Sequence, residues 1–279
     1  MIQVWNIASL TIHEGIRRNI VRLSIGMGIL FLIVFGVGLH YIFLQFEESS
    51  FMRPSEMEIP AIALTIVGLY IINFLLILVS VLVSVASISS EIDTHVIDTI
   101  VTKPVSRWAI VLGKWLGFAI MITIYAVMMG GGLILISMLR TGYALDGFMP
   151  GLSLMALNGI LVMTISIAGG TRLSTLANGV VAFMLYGIAF IGTWVENIGA
   201  VFENEAAVNI GIISSLLVPA EAIWRKASLS FDSRILGNPQ FAGPITVFSE
   251  PSDMMILYAI FYVAALLAWS LWSFSRRDL

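Results

Sequence analysis

The sequence predicts an all-α integral membrane protein: six transmembrane helices, an N-terminal interfacial helix, a short amphipathic helix on the cytoplasmic side, and short outer re-entrant helices between spans five and six. Three observations predict it. The 14 basic and 17 acidic residues are spaced so as to leave six long uncharged runs, at 23–46, 59–90, 115–139, 147–171, 173–195 and 254–275. Each reaches the roughly 20 residues that a helix needs to cross a bilayer core about 30 Å thick. The runs are apolar all round, where a soluble helical core would carry a charged face at helical period. Finally, 59 % of the residues are hydrophobic and 11 % charged.

The first element is residues 1–21. Trp5, Ile12, Ile16 and Ile20 fall on one stripe, with His13, Arg17 and Arg18 on other faces, which predicts an interfacial helix lying on the inner leaflet against membrane lipid. Arg17 and Arg18 stand at the wrong end for a signal peptide, so no cleaved leader is expected. Orientation follows from the basic residues. With a cytoplasmic N-terminus the inner segments hold Arg17, Arg18, Arg22, Lys103, Arg107, Lys114, Arg172, Arg276 and Arg277, and the short outer loops only Arg53 and Arg140. That bias places both termini in the cytoplasm of a multi-pass protein.

Between spans two and three, Ser90 and Asp93 form a capping-box pattern. Ile92, Val96, Ile97, Ile100 and Val101 then make an apolar stripe opposite Asp93, Thr94 and Asp98. Pro104 ends this helix, expected over 89–104, and Ser106 is placed to cap the next. A loop that only sets topology has no use for a capped helix with its own apolar face, so this face is expected to bury against the spans or a partner.

The segment 197–253 is expected on the outer side. Residues 206–220 are uncharged but too short to cross, so a re-entrant or interface-lying helix fits. Pro219 can open a second helix, with Ala222, Ile223 and Trp224 on one side and Glu221, Arg225 and Lys226 on the other. Gly237, Pro239, Gly243, Pro244 and Pro251 punctuate the remainder of the segment as irregular structure.

Several chemistries are excluded. Without cysteine there is no disulfide, thiolate nucleophile or Cys-based metal site, and three scattered histidines make neither a ligand set nor a catalytic grouping. A net charge of −3 argues against nucleic acid. Gly113-Lys114 is followed by Trp115 and lacks the rest of a phosphate loop. Within the spans the only titratable candidate is His40, read as an interfacial histidine, and Asn73 and Asn158 are read as helix-to-helix hydrogen bonds. No catalytic residue, cofactor or metal is therefore expected in this chain, and any energy must come from a partner.

The stretch Ser90-Glu91-Ile92-Asp93, through Thr99-Ile100-Val101-Thr102-Lys103-Pro104-Val105-Ser106-Arg107-Trp108, to Leu112-Gly113-Lys114-Trp115-Leu116-Gly117, resembles the cytoplasmic signature of ABC-2 type transporter permeases. Val4-Trp5-Asn6-Ile7-Ala8 and Pro219-Ala220-Glu221-Ala222-Ile223-Trp224-Arg225 are similar to the branch that includes the nitrous-oxide-reductase maturation transporter. His95-Val96 stands where the family commonly has Gly-Thr, and Leu10-Thr11 where it has Lys-Glu. The resemblance implies one transmembrane domain over 1–279, in the plasma membrane of a prokaryote. It further implies a second permease copy, as homodimer or heterodimer, and a separate ABC ATPase that binds the ATP and grips a coupling helix at 89–104. On that reading Glu91, Asp93, Asp98, Lys103 and Arg107 make polar contacts with the ATPase and Ile92, Val96, Ile97 and Ile100 the buried face, with Trp5, Arg17 and Arg18 in the elbow. The implied function is export of a hydrophobic or amphipathic substrate. The alternatives are a related machine acting on an extracytoplasmic partner, as in metalloenzyme maturation, and a membrane scaffold or sensor subunit without an ATPase.

Overall fold

The computed structural model describes residues 2–48, 58–93, 106–232, 247 and 249–276. Among these run helices α1 (Ile2–Arg17), α2 (Asn19–Glu48), α3 (Glu58–Asp93), α4 (Arg107–Thr141), α5 (Phe148–Gly170), α6 (Thr175–Val201), α7 (Glu205–Leu217), α8 (Ala220–Phe231) and α9 (Met254–Ser275), with no strand. Six of them, α2 to α6 and α9, are long and apolar enough to cross a membrane. They coincide with the six uncharged runs to within a few residues, except that α4 starts at Arg107 and α6 continues to Val201. In both cases the helix runs through a charge that meets a partner: Lys114 in α4 and Glu196 in α6.

The fourth span, α5, is the axis of the bundle and packs against α3, α4, α6, α8 and α9. Of its most apolar stretch 83 % is buried, against 11 % for α2 and 17 % for α9, which leaves those two facing the surroundings. Small and polar side chains along α5 allow this. Asn158 is fully buried and its Nδ2 donates to Asn73 Oδ1 on α3 at 3.0 Å, the helix-to-helix bond expected of both residues. His40 is exposed on α2, edge-on to Tyr41.

Helices α3 and α4, of 36 and 35 residues, are each about 50 Å long and overshoot the roughly 30 Å apolar layer. They form an antiparallel pair, crossed near one end by α1. The face of α1 that buries is Val4, Ala8, Thr11 and Gly15, a stripe of mostly small side chains. A Cβ on Gly113 would stand 2.9 Å from the Val4 carbonyl oxygen, and one on Gly117 2.8 Å from that of Ala8, so the helix backbones touch where glycine alone fits. The more apolar stripe is left outside: Trp5 and Ile16 are exposed and Ile12 is half-buried, and Ile20, past the bend in α2, is exposed as well.

Candidate functional site

Two regions carry the polar groups that the bundle positions. The first is the α1–α3–α4 end. Helix α3 continues without a break through Ser90 to Asp93, so Ser90 does not open a helix, as its capping pattern suggests; the helical register of the second span simply persists. Glu91, Ile92 and Asp93 make its last turn. Val96, Ile97, Asp98, Ile100 and Lys103 lie outside the described residues, with most of the expected 89–104 helix. Ser106 takes the N-cap position of α4 with extended backbone, but its hydroxyl makes no cap bond and lies 3.5 Å from Gln3 Oε1. Arg107 opens α4 and is half-buried. Lys114, one of the few buried cations, donates from Nζ to the Ser87 carbonyl oxygen at 2.8 Å, tying α4 to the last part of α3. In the elbow Trp5 and Arg17 are exposed, and Arg18, at the bend between α1 and α2, pairs with Glu14 at 2.6 Å.

The second region is at the opposite end, where α6, α7 and α8 meet. Glu203, in left-handed conformation (φ 53°), reverses the chain after α6, and Asn204 caps α7 by accepting from Ala207 N at 3.1 Å. Helix α7 then runs back down α6, Ala207 beside Gly199, Glu196 beside Gly211 and Ser214 beside Gly192. At Val218-Pro219 the chain turns by 101° into α8, which climbs back along α5 until Phe231 lies on Gly151. Both ends of this hairpin are therefore at one end of the bundle. It is re-entrant, the first of the two arrangements that its uncharged stretch permits. The carbonyls that α7 leaves open at its C-terminus are met from α9: Tyr258 Oη donates to Leu216 O at 2.5 Å and Tyr262 Oη to Leu217 O at 3.0 Å.

Helix α8 departs from the amphipathic pattern of its sequence. Ala222, Ile223 and Trp224 are fully buried, with Trp224 edge-on to Tyr70 at 4.8 Å, but Glu221 and Arg225 on the polar side are buried as well. Arg225 grips Glu196 of α6 with two parallel bonds, Nη1 to Oε1 at 2.9 Å and Nη2 to Oε2 at 2.8 Å, each side chain 3 % exposed. Its Nη1 also donates to Ser249 O at 3.2 Å. One turn earlier, Glu221 accepts a 2.6 Å bond from Tyr186 Oη of α6. Of the three charges only Lys226 turns outward, between Glu250 and Asp253 at 2.9 Å from each. Two of the three charges on the polar side thus find partners on α6, and the pairing makes burial tolerable.

This buried cluster is the feature that the sequence reading misses. Glu196 ends an uncharged run and so reads as a boundary, and its partner stands on another element with a whole helix between. The visible signal is the pair Glu221 and Arg225 at helical spacing around Ala222-Ile223-Trp224, a segment too apolar for a solvent loop. Among the described residues no group of three or more His, Asp or Glu is placed to hold a metal ion. The cluster ties α8 to α6 through the Arg225–Glu196 pair and the Tyr186–Glu221 bond.

The family model described as "ABC-2 family transporter protein" matches residues 5–279. No curated protein matches the chain.

Proposed function

Because the chain belongs to the ABC-2 transporter family, and is thereby a membrane component of an ABC transporter, we propose that it is the permease subunit of an ATP-driven exporter of a hydrophobic or amphipathic substrate. Two permease chains pair in the plasma membrane with both termini in the cytoplasm. A separate ATPase docks beneath them on the segment between α3 and α4.

The observation that carries the reading is the construction of the α1–α3–α4 end. Two connections join the spans there, 94–106 and the tight turn 171–174, and the first, by its likeness to the family's cytoplasmic signature, is our candidate handle for a partner. Lys114 binds α4 to the α3 backbone at the base of that handle, and α1 rides on α4 at Gly113 and Gly117. A push on 94–106 then moves three helices as one lever. Glu91, Asp93, Asp98, Lys103 and Arg107 supply its polar contacts with the ATPase, and Ile92, Val96, Ile97 and Ile100 its buried face. The α7–α8 hairpin closes the far end of the path.

A second reading, action on an extracytoplasmic partner as in the maturation-transporter branch, draws on the far tip. There Glu203, Glu205 and Asn209 edge a shallow cavity that a basic surface would fit.

The test is to tag the chain, solubilise it gently from its own host, and assay for an associated ATPase. An ATP-hydrolysing partner is expected, with Glu91→Arg abolishing stimulation of its activity while the chain still folds. A chain that purifies without any nucleotide-dependent partner overturns the exporter reading and leaves a scaffold.

A further inference from the structure

Where α1 turns into α2, the inside of the bend is hollow. A cavity of about 270 Å³ lies there, walled by Ile12 and Ile16 before the bend, Val21 and Ile25 after it, Val83 of α3 and Met121 of α4. Its polar margin is slight, the Tyr125 hydroxyl being turned towards Ser24 O at 3.4 Å. Ile16 is 54 % exposed, so the cavity reaches the outer surface of the bundle.

The residues that follow Ile16 and Val21 of this wall are both basic. Arg17, Arg18 and Arg22 fall within six positions of chain. Arg18 is neutralised by Glu14 on its own helix. Arg22 reaches back across the bend, its Nη2 donating to the Arg17 carbonyl oxygen, and the Arg17 side chain has no partner among the described residues. His13, the other basic group nearby on α1, is engaged with Ser9 O at 2.8 Å. Two exposed guanidinium groups therefore stand on residues next in sequence to Ile16 and Val21, which wall a hole that only hydrocarbon fills without cost.

We propose that this elbow is a binding site for one anionic phospholipid, with its phosphate on Arg17 and Arg22 and one acyl chain in the cavity beneath. An anion without a hydrocarbon chain leaves the cavity empty, and a zwitterionic lipid gains less from the two arginines; an anionic phospholipid satisfies both halves of the site. The membrane supplies it, and the cytoplasmic leaflet is where such lipids concentrate. Only this choice of leaflet rests on the orientation proposed above. A lipid seated here fills the angle between α1 and α2, and so fixes how far the elbow can swing on α4.

The experiment is native mass spectrometry of the full chain, with whatever partner it retains, released from nanodiscs of phosphatidylcholine containing or lacking phosphatidylglycerol. One phosphatidylglycerol per chain is expected to persist where phosphatidylcholine is lost. At about 1 kcal/mol per surface arginine, or about fivefold each, Arg17→Gln with Arg22→Gln lowers that affinity about 25-fold. Ile16→Trp, which keeps the charge and fills the mouth of the cavity, also lowers it, and unchanged thermal unfolding in detergent certifies both proteins as folded. Equal retention of the two lipids by the wild type overturns the proposal, as does retention that neither variant alters. Loss in the arginine variant alone overturns the seated acyl chain and leaves surface charge attraction. None of these readings requires an ATPase, so a failed co-purification and a failed lipid site remain distinguishable.

Discussion

At one end of the bundle α1 lies on α4 with Val4 against Gly113, Ala8 and Thr11 against Gly117, and Gly15 against Met121, a close contact of small side chains. At the other end α8 is fixed to α6 by a two-pronged Arg225–Glu196 pair and a Tyr186–Glu221 bond, all buried. A contact of small side chains yields gradually: a slight tilt loses a little dispersion energy at each atom pair. A buried ion pair yields less readily. Parted by a few ångströms without water, both charges face a large desolvation cost, so the hairpin end resists small displacements. The molecule thus joins a compliant end to a stiff one through α5.

Breaking the ionic end tests this comparison most severely. Arg225→Ala leaves Glu196 buried and alone, and is expected to destabilise the protein by about 3–5 kcal/mol, read as a lowered midpoint of thermal or denaturant unfolding in detergent. The double change Glu196→Leu with Arg225→Met should recover most of that loss while leaving no latch to open; if it is as unstable as the single variant, the cost lies in shape and not in charge. At the compliant end, Gly117→Leu drives a side chain against the Ala8 carbonyl. A cost of about 1–3 kcal/mol is expected, with α1 lifted and its backbone amides exchanging faster while those of α8 do not change. Coupled loss of protection at both ends would show that they are not independent. The smallest effect belongs to the axis between them: Asn73→Ala removes one side of a buried hydrogen bond, worth about 0.6 kcal/mol in the membrane setting. A loss several times larger would move the mechanical centre of the molecule from its ends to the Asn73–Asn158 pair.

The spans were legible because a bilayer imposes a length, and the spacing of charges reports that length directly. Charge spacing fails where a charge is answered from far away in the chain. Lys114 looks like the edge of a span but finds Ser87 O, and Glu196 looks like the end of another but finds Arg225, so α4 and α6 are both longer than their uncharged runs. Periodicity in α1 marks one face and leaves another unmarked. Trp5 and Ile16 of the apolar stripe stay exposed, as a helix lying against lipid would have them, while Ala8, Thr11 and Gly15 are the ones that bury, because helices of membrane proteins associate by close approach and not by hydrophobicity. Ser90 shows a third limit. A capping pattern states a preference, and a helix already running through it overrides that preference. The re-entrant helix was foreseeable from an apolar stretch too short to cross, whereas the buried cluster at its foot needed three-dimensional knowledge of what stands opposite.

The tyrosines of α9 bear on how the chain is made. As it leaves the ribosome, α7 and α8 emerge before α9, with Glu221 and Arg225 in a segment that a bilayer accepts only at about 2.5–3.5 kcal/mol for a charge such as Arg at its centre. The segment can settle only into a groove already built by α3, α5 and α6, which precede it in synthesis. Even then the last carbonyls of α7 remain bare until Tyr258 and Tyr262 arrive on the final span. A chain that ends after residue 253 would therefore carry a hairpin docked but unsealed, the species that a membrane quality-control protease would be expected to find first.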